Sequence, residues 1–459
     1  MELYWSYLAY LASTLLFIFG IKNMAHPRSA IRGNRLAALG MLIAVIATLV
    51  HISILHYQLI VIGILLGSSI GFWIARQVKM TAMPQMISAL NGLGGAASLF
   101  VALNHAQVIF LYTDVMVISS IYITIVIGAI TLTGSVVAFG KLQGFIPSRS
   151  IMIPLHNPLN LIAAFSILYL IGLCIQGFNQ AYWVQHLLTI SLVLGCMLIL
   201  PIGGSDMPVV ISLLNAYSGL AAAVAGFITQ NTVLIIAGSL VGTSGFILTL
   251  TMCRSMNRSL LKVFLGNNKH SSIDDLADKI YQGNIAKTST EEVAMILENA
   301  QQVVIVPGFG LASSQAQHAV REMANLLESL NIEVRYAIHP VAGRMPGHMN
   351  VLLSEAEIPY EQLVELDQIN PQFKETDVVI VIGANDVINP SARVDTQSPI
   401  YGMPILNVDE AKQVIVIKRS LKTGYAGLPN PLFTCQHTRM LFGDAKKTVS
   451  ELSHCLKQN

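Results

Sequence analysis

Acidic side chains are nearly missing from the first 253 residues of this chain: Glu2, Asp114 and Asp206 are all there are. Basic ones are scarce too, since Lys22, Arg28, Arg32, Arg35, Arg76, Lys79, Lys141 and Arg149 complete the set up to Cys253. Charge this sparse, set between long apolar runs, excludes an ordinary water-soluble domain over that half. Cysteine is also scarce. Cys174, Cys196, Cys253, Cys435 and Cys455 show no CxxC or other ligand spacing, so they read as reduced structural thiols and no metal is expected. The net charge of +2 lacks the basic excess that nucleic-acid binding needs. The N-terminus, MELYWSYLAY, has an acid where a signal peptide would be basic, so the first apolar run is expected to stay as a helix. Nothing resembles an Arg-rich transit segment.

What is present in the first half is apolar length. Nine runs, centred in 4–20, 36–53, 57–75, 83–103, 115–139, 159–176, 183–200, 208–228 and 232–252, each approach the roughly 20 residues that cross a hydrocarbon core. The basic residues fall only in the first, third and fifth gaps between them. By the positive-inside rule the N-terminus is then outside and the second half cytoplasmic. The expected domains are a membrane unit over 1–253, a linker over 254–286 and a nucleotide-binding unit over 287–459. Gly63, Gly67 and Gly71 in the third run, and Gly238 and Gly242 in the ninth, are spaced for close helix packing.

Polar groups at membrane depth are functional candidates by default. Asp206 precedes the eighth run in PIGGSDMP, and reads equally well as a helix cap before Pro208 or as a relay group. Asn215 lies roughly 13 Å deeper, and Asn91 on the fourth run roughly 12 Å in from the same side. The two amides are thus expected at one level, as an interhelical hydrogen bond or as part of a proton track. His51, His56, His105, His156 and His186 lie near span ends, where a polar tip reaches the interface.

Beyond the linker, strands and helices alternate. QQVVIVPGFGLASSQAQ reads as a buried strand, a Gly-x-Gly turn at Gly308, Phe309 and Gly310, and a helix, an arrangement that lets backbone amides meet a pyrophosphate. Ser313 replaces the third glycine of that fingerprint. The next strand, IEVRYAIHP, has no acid at its tip to hold a free 2′-hydroxyl, because Glu333 stands at its start. Arg344 and the Lys418-Arg419 pair are placed to face a 2′-phosphate, which favours NADP over NAD. TDVVIVIGAND, PILNV and QVIVIKRS read as further strands and a helix closes the chain after Asp444. The fold class is therefore a multi-span α-helical membrane domain followed by an α/β Rossmann-like domain with a doubly wound parallel sheet. Its ligand belongs at the strand carboxyl ends, near Gly383 to Asp386 and Lys418 to Tyr425. Each of these loops is also readable as plain turn or strand-end structure.

MTAMPQM (Met80 to Met86), GGSDMPVVISLLNAYSG (Gly203 to Gly219), VAGRMPGHMNVLL (Val341 to Leu353), IGAND (Ile382 to Asp386), KRS..TGYAG (Lys418 to Gly427) and MLFGDAK (Met440 to Lys446) follow one another in order. With these motifs the chain resembles the beta subunit of proton-translocating NAD(P) transhydrogenases through nearly its whole length. The resemblance implies NADP(H) on this chain, in a flipped orientation relative to ordinary dinucleotide folds. It implies Lys418, Arg419 and Ser420 at the 2′-phosphate, Tyr425 as a lid, and Arg344 with Val341, Ala342, Gly343, Met345 and Pro346 at the phosphates. Gly308, Phe309, Gly310, Gly383, Ala384, Asn385, Gly402, Met403, Gly424, Asp444 and Ala445 complete the cofactor contacts it implies. Asp386 becomes the carboxylate that couples nucleotide state to protonation, with Asp206, Asn215 and Asn91 on the proton path. Asn91 stands where many members have histidine, so the titratable group is expected elsewhere. Phe309 replaces the usual tyrosine of the turn.

Only one nucleotide fingerprint is present, because Gly92, Gly94 and Gly95 lie inside an apolar run. Hydride transfer needs two nicotinamides in contact, so the NAD(H) site is expected on a separate alpha subunit. The resemblance implies a Re/Si-specific, proton-translocating enzyme of the bacterial inner membrane, a dimer of alpha-beta units that drives NADPH production with inward proton flow. A channel or transporter sensing NAD(P)H through its nucleotide domain is the alternative, although no TVGYG-like filter is present. A bare membrane anchor for an oxidoreductase is a third.

Overall fold

The computed structural model describes residues 2–24, 27–51, 57–79, 82–108, 114–147, 150–152, 154–176, 180–256, 259–265, 281, 285–345, 347–396, 398, 400–424 and 426–458. The chain divides into two compact units, one formed by Met1–Pro147, Ile151–Pro201 and Val210–Leu248, the other chiefly by Thr249–Asn459.

Among the described residues nine helices are long and apolar enough to cross a membrane. They are α1 (Glu2–Met24), α2 (Pro27–His51), α3 (Tyr57–Gln77), α4 (Met83–Gln107), α5 (Val115–Gln143), α6 (His156–Ile175), α7 (Gln180–Ile199), α8 (Met207–Ile228) and α9 (Thr232–Ser255). Helix is the form that closes every backbone hydrogen bond within one apolar segment. Small residues decide where the helices touch. A Cβ on Gly33 of α2 would come 2.6 Å from the Gly20 carbonyl of α1, and one on Gly95 of α4 would come 2.8 Å from Thr131 of α5. Between α8 and α9, a Cβ on Gly219 would lie 2.4 Å from the Gly242 nitrogen and one on Gly238 2.4 Å from the Ala223 nitrogen. The ninth-run glycines thus pack as their spacing predicts. The third-run glycines do not: a Cβ on Gly63, Gly67 or Gly71 would meet no described atom within 4 Å, and none of the described α3 residues is buried. Their spacing permits close approach, but no described residue of this chain lies against them.

The second unit is a six-stranded, wholly parallel sheet ordered β3-β2-β1-β4-β5-β6. Its strands are β1 (Gln302–Pro307), β2 (Glu333–Ile338), β3 (Leu363–Glu365), β4 (Val378–Ile382), β5 (Gln413–Lys418) and β6 (Thr438–Phe442). The central strands QVVIVP, VVIVI and QVIVIK are almost continuously apolar because helices cover both faces of the sheet. Helix Gln317–Ser329 joins β1 to β2 and packs beside the last helix, Ala445–Gln458, which also meets helix Thr290–Glu298. Segment 286–288 borders β6, with Met440 N–H donating to the Ala286 carbonyl at 2.8 Å and Thr288 N–H to the Met440 carbonyl at 3.1 Å. That contact covers an otherwise open sheet edge.

Two strands were not legible as such, and one expected strand is not there. β3 has only three residues, and β6 mixes polar with apolar side chains. PILNV runs without strand pairing. The Asn370 side chain takes the place of a neighbouring strand, donating to the Ile405 carbonyl at 2.9 Å and accepting from Asn407 N–H at 3.1 Å.

Candidate functional site

The strand order reverses between β1 and β4, which opens a crevice at their carboxyl ends. There the two strand ends touch through glycine. Gly308 N–H donates to the Ile382 carbonyl and Gly310 N–H to the Gly383 carbonyl, each at 2.9 Å. A Cβ on Gly308 would lie 2.4 Å from the Gly383 oxygen, and one on Gly383, whose φ is 65°, would lie 2.2 Å from Gly310 Cα. The two glycine amides expected to face a pyrophosphate are therefore engaged with β4, and the glycines serve the close approach of two strand ends. Ser313, in the third fingerprint position, turns its hydroxyl onto the Gly310 carbonyl at 3.1 Å.

Four loops enclose a cavity of about 450 Å³. Gly308 and Phe309 follow β1, Val341, Ala342 and Gly343 follow β2, and Gly383, Ala384, Asn385, Asp386 and Val387 follow β4. Ile400 and Met403 close one side, with Lys418 at the end of β5 and Lys422, Thr423, Gly424 and Ala426 after it on the other. A second cavity of about 210 Å³ is lined by Gly310, Ser313, Gly383, Ile417, Lys418, Arg419, Ser420, Lys422, Gly443 and Ala445. Lys418 and Lys422 border both.

Of the remaining residues singled out in the sequence, Arg344 lays its guanidinium 4.2 Å over the Phe309 ring and donates its backbone N–H to His348 Nδ1 at 3.0 Å. Met345 is buried. Gly402 adopts a φ of 78° and donates to the Ala392 carbonyl at 2.8 Å. Asp444 pairs with Arg419 at 3.1 Å and accepts from Lys446 N–H at the start of the last helix. Pro346 and Tyr425 lie outside the described residues. Val387 and Ile400 line the cavity without having been singled out, and nothing local distinguishes them, whereas Ala426 lies in the TGYAG motif. Lys422 and Thr423 sit in a loop the sequence did flag.

Asn385 and Asp386 tie these loops together. Lys418 Nζ donates to Asn385 Oδ1 at 2.9 Å and to the Lys422 carbonyl at 2.8 Å, and lies 5.0 Å over the Phe433 ring. Burial pushes the Lys418 ammonium down to about 8, partly offset by the Asp386 charge. Asp386 accepts from Asn385 Nδ2 at 3.0 Å and from Ala426 N–H at 2.9 Å. At the β2 tip, where an acid would hold a ribose diol, stands His339. It is buried, bonds the Pro404 carbonyl through Nε2 at 2.8 Å, and accepts from Val341 N–H through Nδ1 at 3.2 Å. Burial holds His339 and His348 down at about 4, so both are neutral.

In the membrane unit, Asn91 is buried on α4 and donates to the Ile211 carbonyl of α8 at 3.2 Å, one helical turn before Asn215. Asn215 itself lies toward α9, where a Cβ on Gly245 would come 3.1 Å from its Nδ2. Asp206 is buried and ends the tight turn Gly204–Asp206 that leads into α8. His156 is buried at the start of α6 and bonds Asn160 at 3.0 Å, His105 bonds the Val101 carbonyl and His186 the Tyr182 carbonyl. The His51 side chain and His56 lie outside the described residues. Among those described, no group of three or more His, Cys, Asp or Glu side chains is placed to hold a metal ion.

The family described as NAD(P) transhydrogenase beta subunit matches residues 6–455. Two curated relatives, both named NAD(P) transhydrogenase subunit beta, come from Rhodospirillum rubrum and from a named strain of that species. Each is 46% identical over 453 residues, covering 97% of this chain and 97% of the relative. A match of this extent, on a chain with nine long apolar helices among its described residues and a dinucleotide-type sheet, shows that the protein belongs to the NAD(P) transhydrogenase beta subunit family.

Proposed function

We propose that this chain binds NADP(H) at the carboxyl edge of its sheet and couples hydride exchange with NAD(H), held on an alpha subunit, to inward proton movement across a bacterial inner membrane. The observation that carries the reading is the convergence of Lys418, Arg419, Ser420 and Lys422 on one small cavity beside the switch point, in a chain of this family. Three cationic side chains and a hydroxyl are a donor set suited to a 2′-phosphate. His339, neutral and buried at the β2 tip, supplies no carboxylate for a free 2′-hydroxyl. The residues present therefore fit NADP(H) better than NAD(H).

The nicotinamide supplies the hydride chemistry when bound. The chain's own residues bind and orient it. Gly308 and Gly383 line the larger cavity without side chains, and Arg344 stacked on Phe309 brings a cation near one rim. Asp386 holds the loop at Ala426 through its carboxylate, so taking up a proton weakens that acceptor and loosens the loop. That is the proposed link between nucleotide state and protonation, with Asp206, Asn215 and Asn91 as polar stations along the membrane path. The enzyme is of the Re/Si-specific type and works as a dimer of alpha-beta units. The test uses both subunits in sealed vesicles: NADPH formation should rise with inward-directed proton-motive force and collapse with uncoupler, and indifference to both overturns the reading.

A further inference from the structure

We infer that Tyr281 is a positioning residue of the nucleotide site, holding Lys418 and the loop at Ala426 in place from behind. This rests on reading that site as an NADP(H) pocket. Tyr281 lies ahead of the first strand, in the segment whose sequence reads as a linker, yet its side chain is 9% exposed and belongs to the core of the sheet unit. Its hydroxyl accepts the backbone N–H of Asn430 at 2.7 Å.

Two routes run from this one side chain to the site. Along the first, Asn430 Nδ2 donates to the Asn385 carbonyl at 3.0 Å, and Asn385 and Asp386 then hold Lys418 and Ala426 by the bonds already described. Along the second, the Tyr281 ring stacks on Phe433 with centroids 6.2 Å apart and planes 25° from parallel, and Phe433 carries the Lys418 ammonium on its ring. Asn430 and Phe433 are both fully buried. Neither intermediate can relax into water when Tyr281 is altered, because a buried N–H without an acceptor is costly and a packed ring has nowhere to move. A displacement of either reaches Lys418, a cation that borders both cavities.

The test is Tyr281→Phe in the full complex with the alpha subunit, reading NADP(H) dissociation constant, release rate and the pH at which NADP⁺ affinity falls. The dissociation constant is expected to rise about 3- to 10-fold, the release rate to rise by a similar factor, and the pH midpoint to move from its parental position. A purely packing role for the hydroxyl would lower the unfolding temperature and leave that midpoint where it was. Asn430→Ser, which keeps the N–H for Tyr281 but removes the arm to Asn385, should reproduce the weakened binding. Parental affinity, release rate and pH midpoint in either variant overturn the inference. If the parent itself binds NADP⁺ no better than NAD⁺, the reading of the site fails instead.

Discussion

Lys418 sets the chemical character of the site at the scale of single residues. Its ammonium is half-buried and desolvation holds it down at about 8, so it begins to lose its proton in mildly alkaline solution. The charged form is the one that attracts a 2′-phosphate. NADP⁺ affinity is therefore expected to be full below about 8 and to fall as pH rises through it, whereas Lys418→Arg, charged throughout, flattens the profile. Titration of both proteins with NADP⁺ across that range checks it, and a parental affinity independent of pH contradicts it. Two histidines act in the other direction on stability. The folded state holds His339 and His348 near 4, against 6.5 when unfolded, so folding favours their neutral forms. That stability is fully present above 6.5 and is lost as pH falls toward 4. The unfolding midpoint of the sheet unit should drop over that window, less steeply in His339→Gln. Lys418 and Arg419 were legible because they stand in a recognisable motif. Val387 and Ile400 were not, since only distant loops meeting in space make them part of a wall.

Glycine contacts govern the elements. Gly383→Ala combines a left-handed backbone with a Cβ 2.2 Å from Gly310 Cα. A loss of about 2 kcal/mol or more in unfolding free energy is expected from overpacking and the unfavourable φ, together with loss of NADP(H) binding. Denaturant titration with a parallel nucleotide-binding assay measures both. Gly238→Leu should separate α8 from α9 in the same way, because its Cβ would already overlap the Ala223 backbone, and reduced yield of folded protein from the membrane is the readout. Spacing alone revealed the ninth-run pair but also pointed to close packing of the α3 stripe, which meets no neighbour among the described residues. A period records that a face is narrow, and only a partner helix turns narrowness into contact.

On the proposed function, voltage enters at the scale of the whole molecule. Hydride exchange between two nicotinamides is close to balanced, whereas one charge crossing 100 mV releases about 2.3 kcal/mol. At about 1.4 kcal/mol per tenfold, one proton per hydride should shift the NADPH to NADP⁺ ratio roughly fiftyfold. Vesicles holding both subunits, clamped at zero and then about 100 mV, should show that shift. An unchanged ratio would leave binding without coupling. An apolar half and a half with a dinucleotide-type sheet on one chain call for a process that uses both.

Composition and local pattern were enough to determine the division into a lipid-facing and a water-facing half, the nine helices and the central parallel strands. These follow from the solvent each segment can tolerate and from a sheet covered on both faces, and each can be read within a dozen or so neighbouring residues. The tertiary structure decided that the Gly308 and Gly310 amides bind β4, that Asn370 stands in for a strand beside PILNV, and that Tyr281 reaches the loop after β5. Those contacts join residues tens to more than a hundred positions apart. Strand order and packing bring them together, and no local sequence period carries that information.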